Sequence, residues 1–406
     1  MHTSTGHRRP VLWRPDDFTP DRPPRRVSWL ELFHDLVYVV AVSRLTHGLL
    51  HAHGATDFLL FTLLFGLVLW SWMNGTYYFD LHGNQGLWTR AMTWLQMVCA
   101  ACVAITVGHV FEGHHRSFAV AFCGMQTLIT GLWWSTGFFQ RDHRYLSVPH
   151  SITYLVALCL MVASVFTTTA VATRLWTVTL LLNFGVELIL FRRFEQLMDT
   201  LKAEFKPSSS IVERFGLFTI IVLGEGILGI LMAMEDPDRW NAERWSAFGL
   251  CMLIAFLLWW LYFEVLGDRE VKAGFGSYVL LNLFHLPLLA AFAMLGPGLH
   301  LILSEGGTVD EKARWMLSVA IGAGMAMIVA LSSIMADEHL SARHRLREGL
   351  RMCAASLLII GLPFLLPGLA PWSFLLAVAA VLTVLVVQGT LTGAYPKLLR
   401  RTGAEA

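Results

Sequence analysis

Glu31, His34 and Asp35 crowd into one apolar stretch, Glu31-Leu-Phe-His34-Asp35-Leu-Val-Tyr38. An ionisable side chain in a bilayer-spanning helix costs about 2.5–3.5 kcal/mol on insertion scales, so it faces a cavity or a partner. Glu31 and Asp35 stand four residues apart, on one helical face, and Tyr38 continues that face a turn further on. Two carboxylates so placed are suited to taking up a proton. A second stretch, Leu223-Gly224-Glu225-Gly226-Ile227-Leu228-Gly229, carries an acid twelve residues beyond Glu213, about 18 Å deeper at helical rise. Its glycines would let another backbone approach, or let the helix unwind around the acid. His285, in Leu283-Phe284-His285-Leu286-Pro287, stands beside a proline that frees a backbone carbonyl, a setting that suits a proton relay.

Each candidate has a plainer alternative. Glu31 and Glu213 can be helix-start acids facing interfacial water and the positive end of the helix dipole. Glu225 can belong to a packing seam and pair with an arginine, and His285 can be hydrogen-bonded structure. Glu187 and Gln96 are weaker candidates of the same sort. His47 and His51 are four apart, but no HExxH or Cys/His cluster accompanies them, so no metal is expected. No nucleophile elbow, P-loop or dinucleotide fingerprint occurs in a strand–turn–helix context, and no cofactor is expected. Cys99-Ala-Ala-Cys102 imitates a redox pair, yet all six cysteines lie in apolar runs and read as buried free thiols. Trp133-Trp134 and Trp259-Trp260 read as interface anchors or packing.

The elements that position these residues follow from composition. Of 406 residues 55% are hydrophobic and 15% charged, and the apolar runs repeat at the ~20 residues needed to cross a bilayer. The expected fold is all-α, a polytopic membrane protein of about twelve helices near 33–53, 56–79, 90–111, 117–139, 151–171, 173–191, 211–234, 245–266, 277–303, 315–335, 351–370 and 372–392. The divisions within 151–191 and 351–392 are the least marked. Pro287, Pro297, Pro363 and Pro367 should bend the helices they enter. Membrane lipids are therefore partners. A net charge of +1 excludes a nucleic-acid partner, which would need a concentrated basic surface. The Arg- and Pro-rich segment 1–27 lacks an apolar core and reads as a disordered cytoplasmic tail rather than a cleavable signal; 397–406 reads as a second tail.

Lysine and arginine set the expected orientation. With the N-terminus in the cytoplasm, inner segments hold 22 of the 30, against six outside (Arg116, Arg174, Arg239, Arg244, Lys312 and Arg314). That imbalance predicts an even number of helices with both termini inside. The membrane region also divides into related halves, 28–200 and 201–396. Ser28-x-x-Glu31-x-Phe33 recurs as Ser210-x-x-Glu213-x-Phe215, and Tyr78-Phe79-Asp80 as Tyr262-Phe263-Glu264, at offsets of 182 and 184. Six helices per half is even, so the expected 6+6 repeat is parallel. It brings Glu31, Glu213, Asp80 and Glu264 to one cytoplasmic level, with Asp35 a turn deeper. It also matches Ser43 to Glu225, so Arg44 is at a depth from which it could pair with Glu225.

Glu31-Leu32-Phe33-His34-Asp35-Leu36-Val37-Tyr38-Val39 resembles the opening motif of the bacterial low temperature requirement A family. Glu213-Arg214-Phe215-Gly216-Leu217-Phe218-Thr219-Ile220-Ile221-Val222-Leu223-Gly224-Glu225 resembles a second motif of that family, and His285-Leu286-Pro287 a third. The similarity covers about 28–395; His34 stands where the family has a second aromatic. The resemblance implies a polytopic bacterial inner-membrane protein linked to growth at low temperature, and it names no reaction. Two functional expectations remain. One is a proton- or ion-linked transporter of a small solute, whose path is lined by Asp35, Glu225, Glu31, Glu213, Arg44, His285, Asp80 and Glu264. The other is an intramembrane enzyme for a lipid or isoprenoid-like substrate, which requires a lipid-sized cavity at Asp35. If neither a path nor such a cavity exists, a sensor or scaffold role remains.

Overall fold

Long apolar runs closed by local capping devices make the described residues almost wholly helical. The structure, a computed structural model, describes residues 27–50, 54–82, 86–139, 144–201, 207–267, 269–304, 311–336 and 342–392. Residues 1–26, His51 and the 397–406 tail lie outside the described residues. Twelve α-helices occur among those described: α1 (Trp29–Leu50), α2 (Ala55–His82), α3 (Leu87–Val107), α4 (His115–Phe139), α5 (Arg144–Val165) and α6 (Thr169–Leu201), then α7 (Ser209–Ala233), α8 (Ala242–Leu266), α9 (Phe275–Ser304), α10 (Glu311–Ile334), α11 (Ala342–Leu365) and α12 (Pro371–Leu391). Eleven are long and apolar enough to cross a membrane. The exception is α1, whose Glu31, His34, Asp35, Arg44 and His47 depress its hydropathy. Large apolar side chains such as Leu59, Ile105, Leu181, Leu357 and Phe364 are exposed on the helices. Such a surface suits a hydrocarbon solvent and would not be tolerated in water. The chain is a multi-pass membrane protein.

Helix ends follow local chemistry. The Asn241 side chain caps α8 by accepting from Arg244 N at 2.8 Å. Pro371 opens α12, where its missing N–H costs nothing. Gly368 turns the chain out of α11 at a φ of 83°, a conformation glycine adopts without strain. The α5–α6 boundary falls about five residues before the expected one, because α5 stops at Val165. His115 explains this. Its Nε2–H donates to the Thr167 carbonyl at 3.0 Å, and its Nδ1 accepts from the Thr169 hydroxyl at 2.9 Å. Those two bonds fix a turn that apolar periodicity does not mark. Each of the six cysteines is a free thiol.

The helices form two units. The first comprises residues 1–38 and 67–190, the second 39–66 and 191–406. In the first, α4 packs against α3 and α5. In the second, α9 packs against both α7 and α10; α8 lies on α7, α10 and α12, and α11 on α10 and α12. An isolated antiparallel bridge, Val271 to Met335, ties the α8–α9 connection to the end of α10. Lys272 N donates to Ile334 O at 2.9 Å and Ala336 N to Glu270 O at 2.7 Å.

Candidate functional site

Glu31 closes a capping box. Ser28 N and Oγ both lie 2.8 Å from Glu31 Oε2, and Glu31 N donates back to Ser28 Oγ at 3.4 Å. Two donors at the start of α1 are thus satisfied reciprocally, which makes Glu31 a helix-entry residue. Its counterpart behaves differently. Ser208, not Ser210, caps α7 by accepting from Ile211 N at 3.2 Å, so Glu213 falls outside the cap and is exposed.

One turn into α1, Asp35 is fully buried. The Trp72 indole Nε1–H donates to its Oδ1 at 2.7 Å, and His34 Nδ1 lies 3.3 Å from the same oxygen. The His34 ring packs on Tyr38 at 4.8 Å, and the Tyr38 hydroxyl reaches Met125 Sδ at 3.4 Å. Asp35 therefore organises an aromatic shell within the first unit. Asp80, also of this unit, is half-buried near the end of α2.

Sequence reasoning missed a buried amide network in the same unit. The Tyr154 hydroxyl donates to Asn74 Oδ1 at 2.8 Å, Gln126 Nε2 to the Tyr154 carbonyl at 3.3 Å, and Asn183 Nδ2 to Gln126 Oε1 at 3.5 Å. These groups come from α2, α4, α5 and α6. Gln96 is fully buried against Gly75, where a Cβ would fall 2.8 Å from its Oε1. The signal was an amide in each of several apolar runs, which cost free energy unless they met.

In the second unit α7 and α9 touch backbone to backbone. A Cβ on Gly229 would lie 2.7 Å from the Gly296 carbonyl oxygen, and one on Gly226 3.8 Å from Gly296 N. Gly224 has open space instead. Beside this crossing is a cavity of about 30 Å³ lined by Ser43, Thr46 and His47 of α1, Glu225 and Gly229 of α7, and Gly296 and His300 of α9. Its volume matches about one water molecule. His300 Nδ1 is 3.2 Å from the Gly229 carbonyl. A carbonyl only accepts, so Nδ1 carries the proton and Nε2 of the neutral ring is an acceptor. Glu225 is half-buried and, among the described residues, accepts no hydrogen bond from protein. The expected Arg44 does not line the cavity; it is exposed. Ser43, Thr46, His47 and Leu50 follow the i, i+3, i+4, i+7 spacing of one face, and Arg44 lies about 100° round from Ser43.

Glu213 and His285 meet at a second cavity, of about 150 Å³, with Tyr262, Phe215 and Phe263. His285 is buried, with Nδ1 2.8 Å from the Leu281 carbonyl and Nε2 3.1 Å from the Tyr262 hydroxyl. The same reasoning puts its proton on Nδ1, so the Tyr262 O–H donates to Nε2. Phe215 packs over the imidazole at 4.3 Å. Glu264 is half-buried and does not line this cavity. Among the described residues, no three His, Cys, Asp or Glu side chains are placed to hold a metal ion.

Comparison with known proteins adds a relative from Rhizobium meliloti (strain 1021), an uncharacterized protein 28% identical over 264 residues. That match covers 61% of this chain, which in turn spans about 60% of the relative's length. The family model described as bacterial low temperature requirement A protein (LtrA) matches residues 26–387, which include the Asp35 shell and both α7–α9 cavities. The chain belongs to the bacterial low temperature requirement A family.

Proposed function

We propose that this protein is a proton- or ion-linked transporter of a small solute in the bacterial cytoplasmic membrane, with both termini inside, and that its path follows α7 and α9. One observation carries this reading: two acids of α7 each share a cavity with a histidine of α9, Glu213 with His285 and Glu225 with His300. The acids are twelve residues apart, about 18 Å along the helix. A protonated Glu225 carboxyl can pass its proton through one water to His300 Nε2. The His285 nitrogens are held by Leu281 O and the Tyr262 hydroxyl and can take part only by exchanging a partner. Glu225 is the central station. Two like-oriented six-helix halves fit the same reading. Tyr78 and Tyr262, at matched positions, are both buried edge-on to the next phenylalanine, at 5.5 and 4.8 Å. The enzyme alternative drew on Asp35, whose carboxylate is enclosed and engaged by Trp72; this favours a structural part for it.

The test is proton flux into vesicles that hold the purified full chain and a trapped pH-sensitive dye, driven by an imposed potassium diffusion potential. Wild type is expected to conduct. Glu225→Gln, nearly isosteric at a half-buried site, is expected to insert normally and to lose most of the flux. Unchanged proton flux in that variant would remove Glu225 from the mechanism.

A further inference from the structure

We propose that the Glu213 cavity binds a small monovalent organic cation, an ammonium carrying an apolar group about the size of benzene. Its size sets the apolar part. The cavity measures about 150 Å³, and an apolar cavity of about that volume holds one benzene ring. Its walls are aliphatic and aromatic, Leu217, Ile220 and Leu281 with Phe215, Tyr262 and Phe263.

The polar groups set the charge. Glu213 is the one charged side chain among the described lining residues, and it is exposed. Two lining side chains carry donors, Tyr262 and His285, and both donors are engaged. The His285 Nδ1–H is held by Leu281 O, and the Tyr262 O–H by His285 Nε2. The Gly267 N–H, at the end of α8, is likewise held by Phe263 O at 3.0 Å. The cavity therefore offers a carboxylate and aromatic faces and, among the described residues, no spare side-chain donor. An anion would meet Glu213 with nothing to pair with it. A neutral molecule would leave the carboxylate unused. A cation gains both the charge contact and the ring faces. That this ligand is also the transported solute rests on the α7–α9 path proposed above.

The experiment is calorimetric titration of the full chain in lipid nanodiscs with benzylammonium, benzyl alcohol and benzoate. Benzylammonium is expected to bind saturably, with the other two weaker by roughly tenfold or more. Glu213→Gln is expected to bring benzylammonium down to the level of benzyl alcohol. The side chain is exposed and outside the cap, so this variant keeps the fold. Gly216→Leu, which extends a side chain into the cavity, is expected to abolish binding of both. Equal affinity for the alcohol and the ammonium, or no effect of Glu213→Gln, overturns the assignment. The two readings fail separately. Glu225-dependent proton flux without benzylammonium binding sinks the cation site alone. Glu213-dependent binding together with normal flux in Glu225→Gln sinks the path alone.

Discussion

At the scale of single residues, the acids of this chain divide by what already satisfies them. Glu31 is consumed by Ser28, and Asp35 by Trp72 and its neighbours, whereas Glu213 and Glu225 adjoin open volume. The fully buried Trp72 indole needs an acceptor, and a buried donor left unmade costs about 1–3 kcal/mol. Asp35→Ala is thus expected to lower stability by about that amount, while Asp35→Asn keeps an oxygen for Trp72 and loses less. Thermal unfolding in detergent measures both. Equal losses would mean that the charge of Asp35, and not its acceptor oxygen, is what the site requires. The Ser-x-x-Glu pattern, taken from the sequence as a repeat landmark with a helix-start acid, closed a capping box at α1. The same letters at Ser210 did not, because α7 starts at Ser209 under a cap by Ser208 and shifts the register.

Among the elements, the α7–α9 crossing decides the site. Glu225, Leu228, Gly229 and Met232 form one face of α7, so the acid and the closest backbone approach share a side. Gly229→Ala drives a methyl against the Gly296 carbonyl, a backbone atom that cannot swing aside. A loss of roughly 1–3 kcal/mol is expected, the usual range for overpacking. Gly224→Ala meets open space and is expected to be neutral or mildly stabilising, since glycine weakens a helix interior. Melting temperatures of the pair check this, and similar values for both variants would refute the crossing. The glycine run of α7 was visible in the sequence. Its partner was not, because Gly296 lies 67 residues after Gly229, and spacing within one helix says nothing about another.

For the molecule as a whole, α1 decides the topology. Among the described helices it is the one too polar to count as an apolar span, yet the lysine and arginine count, which predicts both termini inside, requires it to cross. Arg44 is exposed two turns before the end of α1 at Leu50, and a long side chain there can extend its guanidinium to the interface. Reporter fusions or cysteine labelling at the two tails, in whole cells, are expected to place both in the cytoplasm. Tails on opposite sides would mean that α1 does not span, and the outward count of lysine and arginine would need reassigning.

The apolar runs alone determined that this chain is a multi-pass helical membrane protein, because length and hydropathy are local and the bilayer demands that each segment satisfy its own backbone. They also marked which acids and histidines carry an energetic burden. Tertiary structure alone decided how each burden is met. It placed Trp72 on Asp35, assembled the Asn74–Tyr154–Gln126–Asn183 network, and set His47 and His300 rather than Arg44 beside the Glu225 cavity. Those pairings depend on which faces of separate helices meet, and contacts between helices far apart in the chain leave no periodic trace along it.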